Sequence, residues 1–440
     1  GGPGSAGTRC PALGDDRAGG RRMIFSRSVL PSGIRVLTER MPAIRSVSIG
    51  FWVGVGSRDE PSPLQGSSHF LEHLLFKGTE KRGAREIAEA FDAVGGEANA
   101  FSAKEYTCVY GRVLDKDLPM AADFLADMVR NSILRPEDVA SERKVILEEI
   151  AMHEDTPDDL VHDVFAEALF GTHPLGREVM GTVQTVNAIT PESLRDFHDA
   201  NYHPHNTVVA AAGNVDHEDV VSWIESFFPG DERRSEPRAS DVPALSRGVT
   251  VVRRKTEQAH IVVGGAGYAR QHPDRFAWGV LDNLLGGGMS SRLFQEIREK
   301  RGMAYSVYSY RSMFSETGLY GIYAGTAPAN TQEVLQVIAE ELDRLLQYGI
   351  TEEELERAKG HTRGGIVLGL EDPSSRMSRL GKSELVRGEI LSVDELVARV
   401  DAVTLDDVNR VACDLLRPES RVLAVVGPFK RSDFAGWDAA

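Results

Sequence analysis

The sequence predicts an α+β fold: two homologous domains, each a mostly antiparallel sheet with helices packed on it, forming a clamshell. Three observations predict it. A polar segment rich in Pro, Ser and Arg, PGDERRSEPRASDVPALSRG, divides the chain into halves of similar length. The stretch VNAITPESLRDFHDANYHPHNTVVAAAG, from Val186 to Gly213, aligns without a gap with VDAVTLDDVNRVACDLLRPESRVLAVVG, from Val400 to Gly427, so that Thr190 meets Thr404 and Pro204 meets Pro418. Within each half, strand-like patterns are grouped ahead of helix-like ones, as in sheets covered by helices. The expected divisions are a tail over 1–23, a first domain over 24–228, a linker over 229–248 and a second domain over 249–440.

The tail, GGPGSAGTRCPALGDDRAGGRRM, reads as disordered. It lacks the apolar core of a secretory signal, and Asp15 and Asp16 argue against an organellar presequence. RSVSIGFWVGVGS and ANAFSAKEYTCVYGRVL read as strands, followed by long helices. Asp158 and Asp159 after Pro157 begin another helix. The repeated unit itself reads as a Thr-capped helix, a Pro turn and an apolar strand. In the second half AHIVVGGAGYA and GLYGIYAGTA are strands and LQVIAEELDRLLQ is a strongly periodic helix. LLGGGMSSRL lacks the G-x-x-x-x-G-K-[ST] pattern of a phosphate loop and reads as a turn before a Ser-capped helix. EEELERAK reads as a solvated helix start with carboxylates near the positive helix end. A weaker repeat pairs ILRPEDVASERKVILEEI with YGITEEELERAKGHTRGGI.

Composition narrows the function. The chain has 50 Lys and Arg against 66 Asp and Glu, a net charge of −16. That balance disfavours nucleic acid as a partner, because phosphate contacts need clustered cations. Cys10, Cys108 and Cys413 have no C-x-x-C spacing and read as free thiols in a reducing compartment. No apolar run approaches the roughly 18 residues of a membrane span. A bacterial cytoplasm is expected in preference to a mitochondrial matrix.

The chemistry is concentrated in HFLEHLLFKGT. It sets His69 and His73 one helical turn apart, with Glu72 beside them, in an otherwise apolar run. Unpaired burial of three such groups would cost several kcal/mol, and a metal ion would satisfy them. The pattern is the inverted zinc motif H-x-x-E-H, in which the Glu takes a proton from the attacking water. A catalytic zinc needs a third protein ligand and an open position. In SERKVILEEIAMHE, a helical wheel centred on Ile146 puts Val139, Ile150, Glu142 and Glu149 on one side and Lys144 and Glu148 on the other. Carboxylates flanking an apolar stripe need partners. Glu149 is read as the third ligand and Glu142 as support behind a histidine ligand, with His153 a rival ligand on the same face. The weaker repeat sets Ala358 opposite Glu142 and Gly365 opposite Glu149, and the second half has no H-x-x-E-H, so one zinc per chain is expected.

These residues resemble the pitrilysin (M16) family of zinc peptidases, in particular the branch containing the mitochondrial processing peptidase β-subunit and its bacterial relatives. The likeness rests on HFLEHLLFKGT with Glu149 downstream, on GSRDE before the motif, on GGEANAFSAKEYT after it, and on GGGMSSRLFQEIREKRGMAYSVYS in the second half. It runs from about residue 28 to near the end. The resemblance implies zinc ligands His69, His73 and Glu149, a general base Glu72 and a supporting Glu142. It implies an edge strand at Asn99, Ala100 and Phe101 on which an extended substrate lies. Arg298 and Tyr305 would reach substrate and transition state from the second domain. It implies a zinc endopeptidase for peptides or unfolded polypeptide segments, working in a chamber between halves that move relative to each other, and a homodimer. A heterodimer with an inactive partner, and a non-catalytic structural or assembly subunit, are the alternatives.

Overall fold

The computed structural model describes residues 25–230, 233, 234, 238 and 240–437. The tail expected over 1–23, Cys10 and parts of the expected linker lie outside the described residues.

The first sheet contains β1 (Phe25–Val29), β2 (Arg35–Arg40), β3 (Ser46–Val53), β4 (Glu97–Ser102), β5 (Thr107–Leu114) and β6 (Thr207–Gly213), in the order β1-β2-β6-β3-β5-β4. The second contains β7 (Gly248–Arg253), β8 (Ala259–Gly267), β9 (Ala304–Met313), β10 (Gly318–Thr326) and β11 (Val422–Gly427), in the order β7-β11-β8-β10-β9. The second order repeats the first without β1. In each sheet one pair is parallel, β2 with β6 and β7 with β11, and the rest are antiparallel. ANAFSAKEYTCVYGRVL, where strands are expected, is a hairpin: the polar turn at 103–106 reverses the chain between β4 and β5.

The helices of the first half are α1 (Ser67–Leu75), α2 (Ala84–Ala93), α3 (Leu118–Asn131), α4 (Pro136–Glu154), α5 (Pro157–Phe170), α6 (Val183–Ala188), α7 (Pro191–Asn201) and α8 (His217–Phe227). Those of the second are α9 (Arg275–Gly286), α10 (Thr331–Tyr348), α11 (Glu352–Gly369), α12 (Pro373–Lys382), α13 (Val393–Asp401) and α14 (Leu405–Leu415). The caps read from the repeat are present. Thr190 accepts from the Ser193 amide and Thr404 from the Asp407 amide, each in a capping box. The Ser cap expected after LLGGGM does not form. Ser291 Oγ is buried without a hydrogen-bond partner, and the segment winds into a wide π-type turn over Phe294–Glu299.

Successive residues of a strand face opposite ways, and here both faces are buried. Val47, Ile49, Phe51 and Val53 of β3 enter the core formed with α1, α3, α4 and α8. Trp52 and its neighbours Leu37, Val208 and Ala210 face the other way, onto Met377 and Leu380 of α12. In the second sheet Ile261, Val263, Leu423 and Val425 join the core of α9, α10 and α14. Val262, Val422 and Ala424 meet Leu160, Val161 and Phe165 of α5. Each half therefore lends one helix to cover the other half's sheet, so the halves are held by reciprocal packing. Gly381 permits one of these contacts: a Cβ there would fall 2.2 Å from Trp52 Nε1.

Buried charges reinforce the clasp. Glu39 on β2 is fully buried and paired with Arg376 and with Arg379 of α12, the latter at 2.8 Å. Where the β4–β5 turn meets the β9–β10 turn, Glu105 accepts from Arg58 at 2.5 Å, from Arg270, and from the Ser315 amide and hydroxyl at 3.1 and 2.9 Å. Arg58 also bonds Glu316 at 2.8 Å. Arg238 joins from the inter-sheet connection, on Asp59 at 2.6 Å.

Candidate metal centre

Helix α1 starts abruptly. Gly66 has φ of +94°, a left-handed conformation suited to glycine. The helix cap is supplied by Glu60. Its buried carboxylate accepts the Gly66 and Ser68 amides, both at 2.7 Å. Burial raises that carboxyl to about 7, against the pull of the two amides. Phe70, Leu71, Leu74 and Leu75 then face the core, which turns His69, Glu72 and His73 toward α4. On α4, Val139, Ile146 and Ile150 are buried and Glu148 is exposed, as the helical wheel predicts. Glu142 lies beneath the surface and Glu149 is partly covered.

The two helices bring His69, His73 and Glu149 together. One ligand atom from each lies within 4.8 Å of the others. Glu149 Oε2 is 3.7 Å from His69 Nε2 and 3.4 Å from His73 Nε2. Ligands about 2.0–2.2 Å from a tetrahedral ion stand about 3.4 Å apart, so this spacing suits a single small cation. His73 Nδ1 is 3.1 Å from Glu142 Oε2, and Lys77 Nζ is 2.7 Å from Glu142 Oε1. With the proton on Nδ1 and donated to Glu142, the Nε2 lone pair faces Glu149 and His69. Two imidazole nitrogens, one carboxylate oxygen and a carboxylate behind a histidine make the donor set of a catalytic zinc. The buried Glu72 Oε2 has no hydrogen-bond partner, which leaves an acceptor for a water beside an ion held there.

Burial lowers the His69 imidazole to about 4, with His73 adding a smaller push. A neutral imidazole is the ligand form. Burial raises the Glu72 carboxyl, opposed by the nearby Ser102 hydroxyl and by His73.

Asn99, Ala100 and Phe101 lie on β4, at the outer edge of the first sheet, where among the described residues only β5 pairs with them. Phe101 is fixed edge-on against Trp52 and Tyr106. Arg298 and Tyr305 sit together: the guanidinium lies 4.8 Å from the Tyr305 ring, where the π-type turn runs into β9. Tyr305 is 80% exposed. Among the described residues, no hydrogen bond, ion pair or ring contact joins this pair to the histidine helix. His153 is drawn away from the ligand cluster by Asp163 at 2.9 Å, which raises its imidazole. Sequence reasoning missed Glu60, Arg58, Glu105 and Lys77 as individual contributors. Their signal lay in GSRDE, SAKEYT and FKGT, motifs whose partners come from distant turns or helices.

The Insulinase (Peptidase family M16) model matches residues 35–183, and the Peptidase M16 inactive domain model matches residues 188–361. A Streptomyces coelicolor protein called an uncharacterized zinc protease is 52% identical over 92% of this chain and 90% of its own length. The chain belongs to the M16 peptidase family. A Bacillus subtilis M16 relative, also called an uncharacterized zinc protease, is 41% identical over 92% of this chain and 98% of its own. The M16 fold recurs in the crystal structure of a protease from Helicobacter pylori, with TM-score 0.84, 22% identity, and coverage of 92% and 99% of the two chains. A putative M16-like peptidase from Alicyclobacillus acidocaldarius gives TM-score 0.82 and 23% identity, with coverage of 92% and 99%. In this M16 chain the second half keeps the scaffold and carries Ala358 and Gly365 on α11, where the first half has Glu142 and Glu149 on α4.

Proposed function

We propose that this M16 chain is a zinc-dependent endopeptidase acting on peptides or unfolded polypeptide segments, with one zinc per chain. The observation that carries the reading is the convergence of His69, His73 and Glu149, with Glu72 on the same helix and Glu142 behind His73. When bound, zinc supplies Lewis acidity, polarising a carbonyl and acidifying water. Glu72, its carboxyl already raised by burial, takes the proton of the attacking water and returns it to the leaving amine. Glu142 holds the tautomer and orientation of His73. The edge strand at Asn99, Ala100 and Phe101 takes an extended peptide through main-chain hydrogen bonds, which makes the enzyme tolerant of sequence. Tyr305 donates to the developing oxyanion, with Arg298 holding its ring and binding substrate. The protein works as a homodimer in a bacterial cytoplasm; among the described residues, no helix is long and apolar enough to cross a membrane.

The test is cleavage of an internally quenched peptide library by the parent and by Glu72→Gln, with zinc measured on both. Turnover in the parent, loss of about 10²–10⁴ in the variant, and equal zinc in both are expected. Zinc in both with turnover in neither would overturn the reading for this chain alone and favour a structural role or a missing partner.

A further inference from the structure

Against a net charge of −16, one cleft of this protein is cationic. It opens where the β4–β5 turn of the first half faces β9 and the end of α12 in the second. Its volume is about 570 Å³, and its walls include Tyr106, Arg270, Arg311, Lys382 and Arg387. An adjoining pocket of about 280 Å³ shares Arg311 and Arg387 and adds Arg275.

The nearby carboxylates are already committed. Glu105 is held by Arg58 and by Arg270 Nη2. Glu389 is held by Arg275 at 2.9 Å. Asp282 lies 3.8 Å from Arg311 Nε, and burial raises its carboxyl, which weakens it as a counter-charge. Cationic capacity remains after these pairings. Arg270 is 5% exposed, yet its Nη1 is buried with no hydrogen-bond partner. Among the described residues, no carboxylate pairs with Arg387 or Lys382; Lys382 Nζ rests 5.5 Å over the Tyr106 ring. Burial lowers the Arg387 guanidinium, and Arg270, Arg275 and Arg311 add like-charge repulsion. Water can serve a lysine at the rim. It is a poor account of guanidiniums gathered and partly buried in one cleft, because desolvated cations are costly without a counter-charge.

We propose that this cleft binds a small, multiply charged oxyanion of the phosphate class. Guanidinium forks match phosphate oxygens in pairs, and the volume is that of a small-molecule site. Tyr106 comes from the first half and the arginines from the second, so a bound anion bridges the halves beside the Glu105 clasp. The proposal is independent of the peptidase reading.

The probe is pyrophosphate, titrated calorimetrically at constant ionic strength into the full chain and into Arg387→Gln, Lys382→Gln and the surface control Arg85→Gln. Saturable binding near one per chain is expected in the parent and in Arg85→Gln, weakened about tenfold or more in Arg387→Gln and less in Lys382→Gln. Chelation of a bound metal would affect all four proteins alike, so the difference between them isolates the cleft. Should Arg387→Gln fail to fold, Lys382→Gln carries the comparison. Absence of saturable binding to the parent, or equal binding by every variant, overturns the proposal. So does binding of a Glu-rich tetrapeptide with none of pyrophosphate, which would make the cleft a carboxylate site.

Discussion

Replacing Glu105 tests whether buried ionic contacts hold the two halves together. The residue is 1% exposed and serves Arg58, Arg270 and Ser315 at once. Burial alone would raise its carboxyl, but Arg270 and the other donors outweigh burial and hold it at about 2, against an ordinary 4.5. A folded-state value below the unfolded one stabilises the fold at high pH, here by about 3 kcal/mol at neutrality. That contribution is complete above the ordinary value of 4.5 and is lost as the pH falls from there toward 2. A second route gives a similar figure. Breaking a buried pair costs about 3–5 kcal/mol, and the low end applies because Arg58 keeps Glu316 at 2.8 Å. Glu105→Gln is therefore expected to lose about 3 kcal/mol at pH 7 by urea unfolding, and less at pH 4. A loss under about 1 kcal/mol at pH 7, or a gap that widens on acidification, would mean that Glu105 does not hold the halves together.

Glu142→Ala strips the partner from His73 Nδ1 and should weaken zinc binding about 10–100-fold in a chelator competition, with Glu142→Gln falling between it and the parent. Unchanged affinity in both variants would show that His73 needs no such support. Phe165→Ala empties a fully buried position where α5 covers the second sheet and should cost about 3–5 kcal/mol, lowering the unfolding transition of the second half although the mutation lies in the first. Gly381→Ala pushes a methyl into the Trp52 ring and should destabilise by about 1–3 kcal/mol in thermal unfolding; an unaltered melting temperature would mean that α12 lifts off β3 freely.

Local spacing and periodicity made part of this protein legible before any fold was known. The helical repeat aligned His69 with His73, and the wheel of α4 turned Glu142 and Glu149 inward and Glu148 outward. The 28-residue repeat, from Val186 to Gly213 and again from Val400 to Gly427, announced two related units with matching Thr caps. Tertiary structure decided what rests on contacts between residues far apart in the chain. Glu60 caps α1 across the intervening loop because the fold delivers its carboxylate to two free amides. The sequence marked the start of α5 at Pro157 and gave no sign of what α5 or α12 packs against; only the packed molecule revealed that each buries apolar residues against the other half. Glu105 lay in a stretch that reads as strand, and only the fold set it in a turn with two arginines and a second turn closed around it. Periodicity records which side of an element avoids water; it does not record which neighbour excludes that water.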